Sequence, residues 1–179
     1  MHRQKLIKLL EAYQEQESLK EIFLNFINKF EDCFHRSNEY GHMTASGWLL
    51  DKTGMKVLLT HHRKLDMWLQ PGGHCDGESD VFEVALKEAQ EETGILDWEA
   101  GDKEIFDIDL HIIPARKNES EHYHFDVRFI LITKGSETYK VSEESHDLAW
   151  VPLDNLAEYT TEESIVRMAK KWLMRRQGS

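Results

Sequence analysis

Residues 72–95 read Gly-Gly-His-Cys-Asp-Gly-Glu-Ser-Asp-Val-Phe-Glu-Val-Ala-Leu-Lys-Glu-Ala-Gln-Glu-Glu-Thr-Gly-Ile, a glycine turn feeding a sharply delimited helix. The Pro71-Gly72-Gly73 break precedes it, Ser79 is the expected N-cap, and Gly94 is the expected stop. An α-helix turns about 100° per residue, so Glu88, Glu91 and Glu92 share one face. Phe82, Ala85, Leu86 and Ala89 fall on an adjacent face suited to packing. Three like charges at this spacing repel by a few tenths of a kcal/mol per pair. Their clustering therefore calls for ample solvent or a compensating cation. A solvated acidic face and a metal platform both satisfy that demand. If a cation binds, hard carboxylate oxygens favour Mg²⁺ or Mn²⁺ over zinc.

The segment resembles the signature of the Nudix hydrolases: Gly, five residues, Glu, seven residues, Arg-Glu, an aliphatic residue, any residue, Glu-Glu, any residue, Gly, aliphatic. Gly73, Glu88, Ala89, Glu91, Glu92, Gly94 and Ile95 match it. Two positions depart. The first carboxylate stands at Glu78, one residue early, with Ser79 in its usual place, and Lys87 replaces Arg. Lys keeps the charge but lacks the planar fork that grips two carboxylate oxygens together.

The resemblance implies an α/β Nudix fold, an α/β/α sandwich with a mixed β-sheet, and hydrolysis of a nucleoside diphosphate linked to another group. It implies Mg²⁺, with Mn²⁺ as substitute, held by Glu88, Glu91 and Glu92 with Gly73 completing the metal site. Water then attacks phosphorus, and its proton passes to Glu91 or Glu92, or to Glu143 or Glu144 in the loop before Trp150. Glu78 supports the ligands and Lys87 orients a carboxylate. The displaced Glu78 and the Lys87 exchange also motivate a second reading, a Nudix module that binds a nucleotide or metabolite as a sensor or interaction protein without cleaving it. A third is an interaction protein that uses its N-terminal arm.

Hydrophobic patterning outside the box predicts strands over 44–50, 56–60, 105–113, 124–133 and 148–153, with a hairpin turn at 51–54. A capping box at 160–163 predicts a closing helix through Ile165, Met168, Ala169 and Trp172. Leu6, Leu9, Leu10 and Tyr13, then Ile22, Phe23, Phe26, Ile27, Phe30 and Phe34, follow helical spacing, with Ser18-Leu19-Lys20-Glu21 as a second capping box. This divides the chain into an N-terminal helical extension at 1–40, packed on the core, and a catalytic domain at 41–179. The Phe-rich stripe suits core or homodimer packing, or a roof over substrate.

A net charge of −11 excludes a sequence-independent grip on duplex nucleic acid, which needs clustered cations. A small phosphorylated substrate is compatible, because bound metal inverts the local field. His61, His62, Arg63 and Lys64 fit either a phosphate contact or a polar connection between strands. Cys33 and Cys75 give no disulfide framework, and no apolar run is long enough to span a bilayer or lead secretion; a cytoplasmic, membrane-free protein is expected. Cys75 reads as a small buried thiol.

Strand alternation puts His122, His124, Asp126 and Arg128 on one face, and Asp107, Asp109 and His111 on another. Substrate contact and solvent exposure both fit these residues. No third or fourth zinc ligand at a defined spacing accompanies His122 and His124. Trp48, Trp68 and Tyr123 are candidates for base stacking or for core.

Overall fold

The computed structural model describes residues 2–116, 119–143 and 145–178. Its elements are helices α1 (Gln4–Ala12) and α2 (Glu17–Lys29), strands β1 (Gly41–Leu50), β2 (Lys56–His62), β3 (Met67–Leu69) and β4 (Gly72–His74), and helix α3 (Val81–Thr93). Strands β5 (Trp98–Ala100), β6 (Asp107–Ile113), β7 (His122–Thr133) and β8 (Ser145–Pro152), a 3-10 turn at Leu153–Glu158 and helix α4 (Glu163–Gln177) follow. Every predicted strand is present. The three-residue strands β3, β4 and β5 were not predicted, being too short to show alternation.

The residues group into two compact units. The first holds Met1–Ser46, Gly72–Lys87 and Asp102–Phe129. In it β4 lies antiparallel to the start of β1, pairing Thr44 with His74, and β6 lies antiparallel to β7, pairing His111 with His124. Gly72 is required at the first of these junctions. A Cβ there would stand 2.3 Å from the Ser46 Cβ and 2.7 Å from the Ala45 carbonyl oxygen, far inside contact distance.

The core of this unit is aromatic. Phe26 stacks on Phe125 at 3.8 Å between ring centres, Phe23 meets Phe125 edge-on at 5.2 Å, and Phe82 meets Phe129 edge-on at 5.3 Å. Leu6, Leu10, Phe23, Phe26 and Ile27 are buried, so both helices present their apolar stripes inward. Gln16 joins them to the sheet: its amide donates to the Ile108 carbonyl at 3.0 Å and accepts from the Ile108 N–H at 3.3 Å. That engagement shifts the helix start. The expected Ser18 cap is not used; α2 begins at Glu17 after Gln16, which sits in the left-handed region at φ 50° and makes no side-chain cap.

The second unit holds Gly47–Pro71, Glu88–Gly101 and Ile130–Ser179. Its strands follow the order β3-β2-β1-β7-β5, with β8 antiparallel to β2 from Lys56–Pro152 to His62–Ser145. Trp48, Leu58, Leu131, Leu148, Ile165 and Met168 are buried in its core. The hairpin predicted at 51–54 is present, closed by the Gly54 N–H donating to the Asp51 carbonyl at 2.9 Å. Helix α4 grips that turn: the Trp172 indole N–H donates to the Gly54 carbonyl at 2.7 Å, and Arg176 donates to the Thr53 carbonyl at 2.6 Å. The capping box expected at 160–163 does not form. Helix α4 starts at Glu163, while the Thr160 hydroxyl accepts the Glu162 N–H at 3.2 Å, a local turn that uses up the hydroxyl before the helix begins.

Candidate active site

The predicted site residues fall in both units. In the first unit, the turn after β4 holds Glu78, whose carboxylate accepts the Asp80 N–H at 2.8 Å. Helix α3 begins at Val81, so Asp80, and not the expected Ser79, immediately precedes it. Lys5 reaches Asp80 from α1 as an ion pair. Lys87 is exposed, and Gly73 pairs with Ala45 across the β4–β1 ladder.

In the second unit, Glu88, Glu91 and Glu92 stand at i, i+3 and i+4 of one helical stretch with graded exposure: Glu91 exposed, Glu88 half-buried, Glu92 buried. Gly94 ends α3 at φ 69°, its N–H donating to the Gln90 carbonyl at 2.9 Å, as the sequence predicted. A carboxylate as enclosed as Glu92 needs hydrogen bonds or a cation to remain charged. Three carboxylates on one helical stretch form an all-oxygen donor set that fits Mg²⁺ or Mn²⁺. Glu143 is exposed in the turn before β8, and Glu144 lies outside the described residues.

Asp107, Asp109, Asp126 and Arg128 are neither simply exposed nor free to meet substrate. They form one buried network in the first unit. Arg128 is fully buried and its guanidinium pairs with Asp126 at 2.8 Å, Asp109 at 3.0 Å and Asp107 at 3.3 Å. Thr44 and Ser46 hydroxyls donate to the two Asp126 oxygens at 3.0 and 2.8 Å. Burial pushes the Asp126 carboxyl up, but the Arg128 and His111 charges and these hydrogen bonds outweigh it and hold it below the usual carboxylate range.

The same unit gathers histidines that sequence spacing did not connect. His42, His74 and His124 offer ring nitrogens within 4.8 Å of one another. Burial, followed by neighbouring charges, pushes His42 and His74 down to about 4 and His124 to about 3. They come from β1, β4 and β7, so their meeting depends on strand register. The one sequence signal was that His42 and His74 each follow a glycine at a strand end.

Other candidates acquire structural roles. In the second unit His61 pairs with Asp66 at 2.9 Å and stacks on Trp68 at 5.0 Å, while His62 Nδ1 accepts the Lys64 and Leu65 N–H groups at 3.3 Å. Arg63 donates to the Ser145 carbonyl at 2.9 Å. These contacts shape the turn after β2. Trp48 is buried, whereas Trp68 and Tyr123 are half-buried. Cys33 and Cys75 are both buried; burial raises the Cys33 thiol to about 11 and pushes Cys75 up as well, which leaves both poor nucleophiles.

The model of the NUDIX domain family matches residues 41–172. The chain belongs to the Nudix family. A probable DHNTP pyrophosphohydrolase of Lactococcus lactis subsp. cremoris (strain MG1363) is 29% identical over 99 residues, covering 54% of this chain and 54% of that protein. The chain thus spans about half the length of the curated relative it matches. Among solved structures, a NUDIX family hydrolase from Clostridium perfringens aligns with a TM-score of 0.60 at 23% identity, over 74% of this chain and 97% of that one. The E. coli dihydroneopterin triphosphate pyrophosphohydrolase aligns with a TM-score of 0.57 at 13% identity, over 74% and 95%. These likenesses establish the fold: Nudix, of the α/β class with a mixed sheet, as the signature implied. No helix among the described residues is long and apolar enough to cross a membrane.

Proposed function

We propose that this Nudix chain is a Mg²⁺-dependent pyrophosphohydrolase that cleaves the phosphoanhydride of a nucleoside diphosphate linked to another moiety. The observation that carries the reading is the presence, inside a family match spanning residues 41–172, of Glu88, Glu91 and Glu92 at metal-binding spacing on one helix. These three carboxylates hold the ion, with Mn²⁺ as an alternative. When bound, Mg²⁺ neutralises the diphosphate and acidifies a water. In this reading Glu91 or Glu92 accepts the proton of the attacking water, and the greater exposure of Glu91 favours it for that role, with Glu88 and Glu92 as metal ligands. Attack on phosphorus breaks the bridging P–O bond, and the two phosphate-bearing products leave. Lys87 orients a carboxylate of the box, and Glu78 stabilises the turn that leads into it.

The relative's name extends the candidate substrates to dihydroneopterin triphosphate. Cleavage should therefore be measured with Mg²⁺ over a panel of nucleoside diphosphate derivatives, by separating the nucleoside monophosphate and the phosphorylated co-product, and over that pterin, by pyrophosphate release. Metal-dependent turnover of at least one compound is expected. Silence across the panel, with tight binding of one compound, would replace hydrolysis with the sensor reading that Lys87 and the displaced Glu78 motivate.

A further inference from the structure

In the first unit four imidazoles stand together where β1, β4 and β7 run side by side in space. His124 Nε2 lies 3.3 Å from His74 Nε2 and 3.2 Å from His122 Nε2. His42, only 4% exposed, faces His74, His122 and His124 with ring centres 4.8–5.1 Å away, and neither of its nitrogens has a hydrogen-bond partner among the described residues.

Hydrogen bonds alone do not satisfy this cluster. A neutral imidazole has one N–H and one lone pair. His122 Nδ1 sits 2.8 Å from the Ser120 carbonyl oxygen, which only accepts, so His122 Nε2 presents its lone pair to His124. A single proton on His124 Nε2 serves one of its two neighbours and leaves the other contact unmade. His42 adds an unmade donor and an unmade acceptor, both costly when buried. Protonating more rings would crowd like charges. One cation receiving the facing lone pairs resolves the contest at His124 and takes up the orphaned His42 acceptor, leaving only the His42 N–H unmade.

We propose that His42, His74 and His124 bind a single zinc ion, with His122 as the fourth ligand. Tetrahedral zinc with Zn–N bonds of about 2.0–2.1 Å sets ligand nitrogens about 3.3–3.4 Å apart. The 3.2 and 3.3 Å separations already lie near that edge length. The widest gap within the His42–His74–His124 set, no more than 4.8 Å, closes by ring rotation around the ion. The Nδ1–H bond from His122 to Ser120 fixes ring and tautomer as outer partners of zinc ligands do. Imidazole nitrogen suits zinc, whereas Mg²⁺ demands oxygen, so this site is chemically separate from the carboxylates of α3. Zinc here would tie three strands together.

The test is calorimetric titration of the chelator-treated full chain with zinc chloride in excess Mg²⁺, which occupies the carboxylates. One zinc per chain is expected. A lost ligand should weaken binding beyond the roughly 10–100-fold that loss of an outer partner costs, so His124→Ala and His74→Ala should each weaken it by more than about a hundredfold. The Glu88→Gln/Glu91→Gln/Glu92→Gln protein should keep its zinc. Co²⁺ in place of zinc should give intense visible absorption typical of tetrahedral sites, absent in His74→Ala. Circular dichroism checks folding; should His124→Ala unfold, the half-buried His74 still supplies the decisive variant. No zinc uptake by the wild type, uptake unchanged in His74→Ala, or uptake lost with the three glutamates would each overturn the proposal. Zinc uptake without hydrolysis would leave this site standing and remove the proposed function alone.

Discussion

Arg128 shows how one residue organises a buried polar region. Its guanidinium meets three aspartates, and removing it would strand Asp107 and Asp126, both essentially buried, without their cation. Breaking a buried ion network from one side costs about 3–5 kcal/mol. Arg128→Leu should lower stability by that amount in urea unfolding; a loss under about 1 kcal/mol would mean that the hydroxyls of Thr44 and Ser46 suffice to hold the carboxylates.

Asp51 offers a smaller, pH-dependent case. Burial raises its carboxyl, but hydrogen bonds from the Thr53 hydroxyl and the Lys56 and Met55 N–H groups outweigh it and lower it below 3.8. Its stabilisation is therefore complete above that value and lost as pH falls through the folded-state value. Asp51→Ala should cost about 2 kcal/mol at neutral pH, and the difference from wild type should shrink in strongly acidic urea titrations. The hairpin itself was legible, because Asp-Lys-Thr-Gly carries its turn chemistry locally. The Arg128 network was only half legible: alternation placed its members on strand faces but gave no sign that the faces were buried together.

At the level of elements, local signals located helices better than they set their ends. The three N-cap expectations each missed by a residue or more, and at Thr160 the hydroxyl accepts the Glu162 N–H instead. Gln16, which immediately precedes α2, is tied down instead: its amide engages Ile108 and also accepts the Tyr13 hydroxyl at 2.6 Å. Gln16→Ala should destabilise the protein by about 1–2 kcal/mol and speed hydrogen exchange at the Ile108 amide; unchanged exchange would show that the clamp adds nothing. The three box glutamates were legible because one helical period relates them. The histidine cluster was not, because residues 42, 74 and 124 meet only through the pairing of separate strands, and no sequence period links them. On the proposed role of Lys87, Lys87→Ala should reduce turnover by about tenfold or more while leaving the unfolding midpoint within about 0.5 kcal/mol of wild type, as expected for an exposed position. Intact turnover would remove it from the machinery.

For the molecule as a whole, the Nudix signature conveyed the family and fold from 23 positions, and the family match extends that to residues 41–172. Residues 1–40 precede that match, and we take them as a helical extension whose apolar stripes complete the first unit's core. Substrate choice was not legible, since a shared box supplies the phosphate chemistry while other residues select the leaving group. The central claim is that the α3 carboxylates hold a divalent ion for hydrolysis. Calorimetric titration with Mn²⁺, competed by Mg²⁺, tests it most directly. The wild type should bind Mn²⁺ and the Glu88→Gln/Glu91→Gln/Glu92→Gln protein, folded by circular dichroism, should not; equal Mn²⁺ binding by the two would contradict the account.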